Sequence, residues 1–251
     1  MSGSFDNRGA LDLGDGRIIL CVGKKRSGKS ILAKLIFQSY PGDKIVLDIA
    51  GDDGPMGPNV IEIHGNVDSL PRRWPESQRK DDGGPMTLRY VPDPGSKTFA
   101  EDMDAVVGLA MSHGLRQRHD GKIGCCLLVH EIGVLAPANR TQPHMRRALM
   151  HNRHNALTLL MCGPRPQVVD PLVVQQSDVI YTFELMNPAD RKRLAESMGW
   201  HADDFDEAVH DLARHEYLRY DANEEKPEGD EPDIRLVHFP ALPEDVVRTV
   251  R

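Results

Sequence analysis

Arg17-Ile-Ile-Leu-Cys-Val-Gly23-Lys-Lys-Arg-Ser-Gly28-Lys29-Ser30-Ile31 is the stretch whose reading decides the fold. The apolar run up to Val22 reads as a buried strand. Gly23 to Ser30 matches GxxxxGK[ST], and the residues after it have helical spacing. Strand, glycine loop and helix in that order are the context of a phosphate-binding loop. Gly23 and Gly28 let the backbone turn inward, so that the N–H groups of Lys24, Lys25, Arg26 and Ser27 point at phosphate oxygens. The start of the following helix, from Ser30 and Ile31, adds its positive end. Lys29 is placed to reach the β- and γ-phosphates, and the Ser30 hydroxyl to ligate Mg²⁺. The ligand expected is ATP with magnesium.

Working outward, short apolar runs alternate with helical segments. A helix is expected over 30–40, with Ile31, Leu32, Leu35 and Ile36 on one face and Pro41-Gly42 ending it. Strands are expected at 44–48, 60–64, 87–91, 125–129, 157–161 and 179–183. Helices are expected at 99–117, 171–176, 188–198 and 203–213, and a basic one at 143–153 behind a Thr141 cap. Residues 65–86 hold many breakers and read as a long surface loop. Segments 217–220 and 234–239 are placed to pair as a late hairpin. This alternation predicts an α/β fold with a mainly parallel sheet covered by helices on both faces. The expected organisation is a loose arm over 1–16, a core over 17–200, and a C-terminal helix and hairpin extension over 201–251.

A phosphate loop needs an acid on a second strand. Leu127-Leu-Val-His130-Glu131 supplies one. Glu131 fits the role of polarising the attacking water. His130 stands where an Asp would hold the magnesium shell; a neutral imidazole lacks that charge but can accept a hydrogen bond from a metal-bound water. Asp48 reads either as a plain strand-end acid or as part of a network near the γ-phosphate, and Arg165 divides the same way.

The chain has 251 residues, 31 basic against 38 acidic, and a net charge of −7. That argues against a protein that coats nucleic acid with its whole surface, but the charge is uneven. Arg140 to His154 carries four arginines, three histidines and no acid. Asp221 to Asp233 carries seven acids and one lysine, and residues 203–233 read as a solvated acidic face or loop. Arg146 and Arg147 are candidates for phosphate contacts along DNA. Cys21, Cys125, Cys126 and Cys162 lie in or beside apolar runs without CxxC spacing, which points to buried thiols in a reducing compartment and sets a zinc site aside. No run approaches the ~20 apolar residues of a membrane helix, and the first residues lack a secretory h-region, so a cytoplasmic protein is expected.

The order of these features resembles the FtsK–HerA superfamily of DNA-pumping ATPases, in particular its short viral packaging-type members. The features are the glycine loop, Val-Leu-Asp48 with Gly51-Asp52, the strand ending in Glu131, and Asn152-Arg153-His154-Asn155 before Leu157-Thr-Leu-Leu-Met161. Arg165-Pro166, Ser177-Asp178 and Asn187-Pro-Ala-Asp190 follow. The resemblance covers roughly 17–200. It implies a RecA-like additional-strand ATPase domain assembled into a ring, usually a hexamer, with ATP between subunits and double-stranded DNA in the channel. It also implies an arginine finger at Arg153. For a virus, the localisation would be host cytoplasm or virion, with capsid or portal-vertex proteins as partners. Two departures fall on the hydrolysis machinery: His130 replaces the strand-end Asp, and Pro164 occupies the place of a sensor Gln, with Gln167 as a displaced substitute. The competing reading is a nucleotide-dependent assembly or binding protein with weak ATPase activity.

Overall fold

The computed structural model describes residues 16–49, 51, 59–71, 74–75, 84–224 and 236–241. The expected arm lies, apart from Gly16, outside the described residues, as does most of the acidic loop. Among the described residues nine strands form one sheet: β1 (Ile18–Val22), β2 (Asp43–Leu47), β3 (Val60–Gly65), β4 (Thr87–Pro92), β5 (Cys125–Val129), β6 (Leu157–Gly163), β7 (Val179–Thr182), β8 (Tyr217–Asp221) and β9 (Leu236–Phe239). Their order is β3-β4-β2-β5-β6-β1-β7-β8-β9. The first seven are parallel; β8 and β9 add antiparallel strands at one edge, as the late hairpin. The α/β class and the mainly parallel sheet are as the sequence predicts.

β1 and β5 are apolar on every residue because both faces of the sheet are covered. Ile18, Leu20 and Val22 join one apolar cluster and Ile19 and Cys21 the other, and Leu127 and Leu128 divide the same way. The helices are shared unequally. On one face α1 (Lys29–Ser39) packs Leu32, Ala33, Ile36 and Phe37, alongside Tyr181, Phe183 and Tyr217. The other face takes residues of α2 (Phe99–His119), α3 (Ile132–Leu135), α4 (Pro143–His151), α5 (Pro171–Gln175), α6 (Pro188–Met198) and α7 (Ala202–His210).

Two local expectations are corrected. Thr141 does not cap α4: its hydroxyl donates to Asp170 Oδ2 at 2.6 Å, and Gln142 stands at the N-cap without a side-chain bond. The donors of the first turn are taken by Asp104 of α2, which accepts from the N–H groups of His144 and Met145 at 2.9 and 2.8 Å. Nor is 65–86 wholly surface loop. Val67–Ser69 is a short 3₁₀ turn, and Trp74 is buried, its ring stacked 3.9 Å from His113. A partner ring on a distant helix decides that burial. His113 in turn meets Asp43 Oδ2 at 2.9 Å.

The strand order positions the chemistry. One strand, β6, separates β1, which leads into the glycine loop, from β5, which leads into Glu131. Because β1, β5 and β6 are parallel, the loop and Glu131 emerge at the same end of the sheet.

Candidate nucleotide site

Two glycines shape the loop. Gly28 caps α1 at φ +111°, in the left-handed region that side chains avoid. A Cβ on Gly23 would lie 2.6 Å from the Cβ of Phe183 and 2.9 Å from Ser27 Oγ, so only glycine permits the approach to β7. The loop is tied down by the Lys24 N–H donating to the Glu184 carbonyl at 2.9 Å, with an ion pair between the same two side chains.

The loop fits a phosphate. Lys24, Lys25 and Arg26 are exposed above it, and Lys29 Nζ donates to the Lys24 carbonyl at 3.2 Å, folded over the loop. Ser27 Oγ is buried and without a hydrogen-bond partner among the described residues, a cost that a phosphate oxygen would remove. Ser30 is exposed at the head of α1, and Ile31 follows half-buried. Among the described residues no three His, Cys, Asp or Glu side chains are grouped to hold a metal on their own. Magnesium here would rely on Ser30 and on the oxygens of its nucleotide.

Glu131 is exposed just past β5. His130 is half-buried and engages the Cys162 thiol of neighbouring β6. Cys162 lies in register with Cys21 of β1. The hydrogen bond with Cys21 pulls the Cys162 thiol below its ordinary value; burial opposes this, and the His130 ring adds to the lowering. All four cysteines are buried and none is in a disulfide.

Other candidates lie elsewhere. Asp48 accepts from Arg89 Nη2 and Nε at 2.6 and 3.0 Å and from the Gly51 N–H at 2.9 Å, while Arg89 also bonds Glu62 at 2.8 Å. This latch joins β2, β3 and β4, and Asp48 makes no bond to the glycine loop among these contacts. Arg89, its centre, was not among the candidates, since one arginine in an apolar strand carries no spacing signal. Arg165 donates to Asp190 Oδ2 at 2.9 Å, and Asp190 also accepts the Gln167 N–H at 3.0 Å. Arg165 and Asp190 line a cavity of about 340 Å³ with Lys24, Lys25, Pro164 and Met186.

Arg146 and Arg147 lie exposed on α4, whose Met145, Ala148 and Leu149 face the core. Arg153 follows α4 in the turn before β6, at the opposite end of the sheet from the glycine loop. Its Nη2 donates to Asp178 Oδ1 at 2.8 Å, and its side chain is 66% exposed. The C-terminal region holds a correction. Arg214 and His215, read as part of an acidic face, line a cavity of about 330 Å³ together with Arg26, Lys29, Ser30 and Ile31.

No protein-family model matches the chain, and no curated protein matches it. Solved structures do. The genome packaging NTPase B204 from Sulfolobus turreted icosahedral virus 2, in complex with AMP, superposes with a TM-score of 0.62 at 18% identity, over 92% of this chain and 100% of that one. The same protein was solved with AMPPCP. VirB4 of Thermoanaerobacter pseudethanolicus gives 0.56 at 11% identity, over 90% of each chain. The pCW3 conjugation coupling protein TcpA, with ATPγS, gives 0.52 at 10% identity, over 96% of this chain and 67% of that one. The fold is therefore that of the RecA-like P-loop NTPases, and the likeness to packaging-type ATPases drawn from the sequence holds at the level of the fold. No helix among the described residues is long and apolar enough to cross a membrane.

Proposed function

We propose that the chain is an ATP-driven translocase of double-stranded DNA, of the kind that packages a viral genome, working as a ring with ATP between subunits. The observation that carries this reading is the pairing of a phosphate-fitted loop after β1 with Glu131 after β5, with the single strand β6 between them, in a fold shared with a genome packaging NTPase. The backbone N–H groups of the loop hold the phosphates, and Lys29 swings from the Lys24 carbonyl onto the β- and γ-oxygens. Magnesium, when bound beside Ser30, neutralises phosphate charge. Glu131 polarises the water in line with the γ-phosphate. Arg153 of a neighbouring copy stabilises the charge that develops there. Arg146 and Arg147 contact DNA phosphates without reading sequence.

A second reading, an ATP-dependent assembly protein with weak turnover, is favoured by Pro164 at the sensor position and by His130 engaging Cys162. Titration of the chain with ATP tests what both share. Lys29→Ala should abolish binding; an unchanged affinity in that variant would remove the site. A strong rise in ATP turnover on adding duplex DNA separates the translocase from the assembly protein.

A further inference from the structure

The chain order that brings Glu131 to the loop also fixes where the rest of the nucleotide must go. From β1, Glu131 lies two strands away through β6 and β5. The γ-phosphate has to face that side to meet its water. The nucleoside then leaves toward the other side, through β7 and β8. There Val22 is level with Thr182, and Thr182 with Leu218. Because β8 is antiparallel, the residues just before it arrive at the end of the sheet where the glycine loop stands.

Those residues form a closed turn. The Glu216 N–H donates to the Ala213 carbonyl at 3.1 Å, and Glu216 Oε2 accepts the Ala213 N–H at 3.0 Å and pairs with His238 of β9 at 3.3 Å. His215 sits in this turn at φ +72°, a left-handed conformation that suits glycine. Its ring is held so near the loop that a Cβ on Gly28 would meet His215 Cδ2 at 3.3 Å. Arg214 is exposed at the rim. Among the described residues, the cavity between turn and loop is lined by Arg26, Lys29 and Arg214 as cations and by no carboxylate, which suits an anion.

We infer that the Ala213–Glu216 turn is the nucleoside wall of this site, acting in cis. His215 presents its ring for stacking on the base, and Arg214 contacts the phosphate next to the nucleoside. The inference rests on the nucleotide reading above and adds the residues that recognise a nucleoside triphosphate as more than a triphosphate. The left-handed backbone at His215 is a conformation that glycine adopts with less strain, so the position can be tested by His215→Gly without breaking the turn.

The test is titration of the full chain with ATP and with inorganic triphosphate, alongside thermal melts. His215→Gly should melt at or above the wild-type temperature, because the turn suits glycine. It should lose about tenfold in ATP affinity, the loss of one base–ring stack, while triphosphate affinity stays within about twofold. Arg214→Ala should weaken both ligands. If His215→Gly keeps wild-type ATP affinity and the same preference over triphosphate, the wall is wrong even though Lys29→Ala still abolishes triphosphate binding. If the wild type binds neither ligand, the phosphate site falls and the wall with it.

Discussion

Arg153 and Lys29 belong to opposite ends of the same sheet. Arg153 bonds Asp178, and Asp178 Oδ2 accepts the N–H of Ile18, the first residue of β1, at 2.7 Å. Lys29 lies beyond Val22, the last. Five strand residues span roughly 16 Å. An arginine anchored at the start of β1 does not serve the phosphates at its end, so any finger role for Arg153 is exercised on a neighbour.

Arg153→Ala is therefore expected to bind ATP normally and to lose on the order of a thousandfold in turnover. Mixed with Lys29→Ala, which lacks ATP binding but keeps its arginine, activity should return at interfaces that pair an intact loop with an intact Arg153. Mixtures that stay inactive while each parent assembles would contradict action in trans.

Glu131→Gln should keep ATP affinity and drop turnover by roughly 10²- to 10⁴-fold, since the shape remains and the base is gone. Single-turnover kinetics with bound ATP measure this; normal turnover would place the base elsewhere. His130→Asp sets a carboxylate against a thiol whose lowered value already reflects its hydrogen bonds, and turnover should fall. A rise would instead show the carboxylate serving the metal.

Asp104→Ala should destabilise the fold by about 1–3 kcal/mol, because two N–H groups of α4 lose their acceptor. Denaturant unfolding reads this directly. A change near zero would mean that water replaces the carboxylate without cost.

Acid should weaken the fold. Hydrogen bonds and the charge of Arg89 hold Glu62 below its usual carboxylate value, and Arg191 does the same for Asp206. Groups depressed in the folded state bind fewer protons there than when unfolded. Their stabilisation is present above the ordinary carboxylate range and is lost as pH falls through the folded values. Melting temperature should drop below about pH 4, and less steeply in Arg89→Met, where Glu62 loses its arginine and keeps only the longer contact with His64 at 3.5 Å. Identical acid profiles would exclude the latch as a cause.

What the sequence made legible was local. The glycine loop and the apolar strands were readable because burial on both faces leaves uninterrupted runs such as Cys125–Val129, and Pro188–Met198 was bounded by its own Asn187 cap and Gly199. What it left hidden was set by partners far along the chain. Asp104 lies 40 residues before His144, whose N–H it accepts in the first turn of α4. Trp74 is buried by His113, and the core runs through a segment rich in breakers. His215 reaches the loop only because β8 turns antiparallel against β7, and the acid-rich composition after it concealed the turn. Asp48 carried the right residue type at a strand end, but Arg89 on the next strand claims it.

The central claim is that ATP hydrolysis here is coupled to duplex DNA, and the measurement is steady-state ATP turnover against DNA concentration at two salt concentrations. The account predicts a strong DNA-dependent rise in the wild type, none in Lys29→Ala, and in Arg146→Ala/Arg147→Ala a weaker apparent DNA affinity with a shallower salt dependence and unchanged basal turnover. ATP turnover that is the same with and without duplex DNA at every concentration would contradict it.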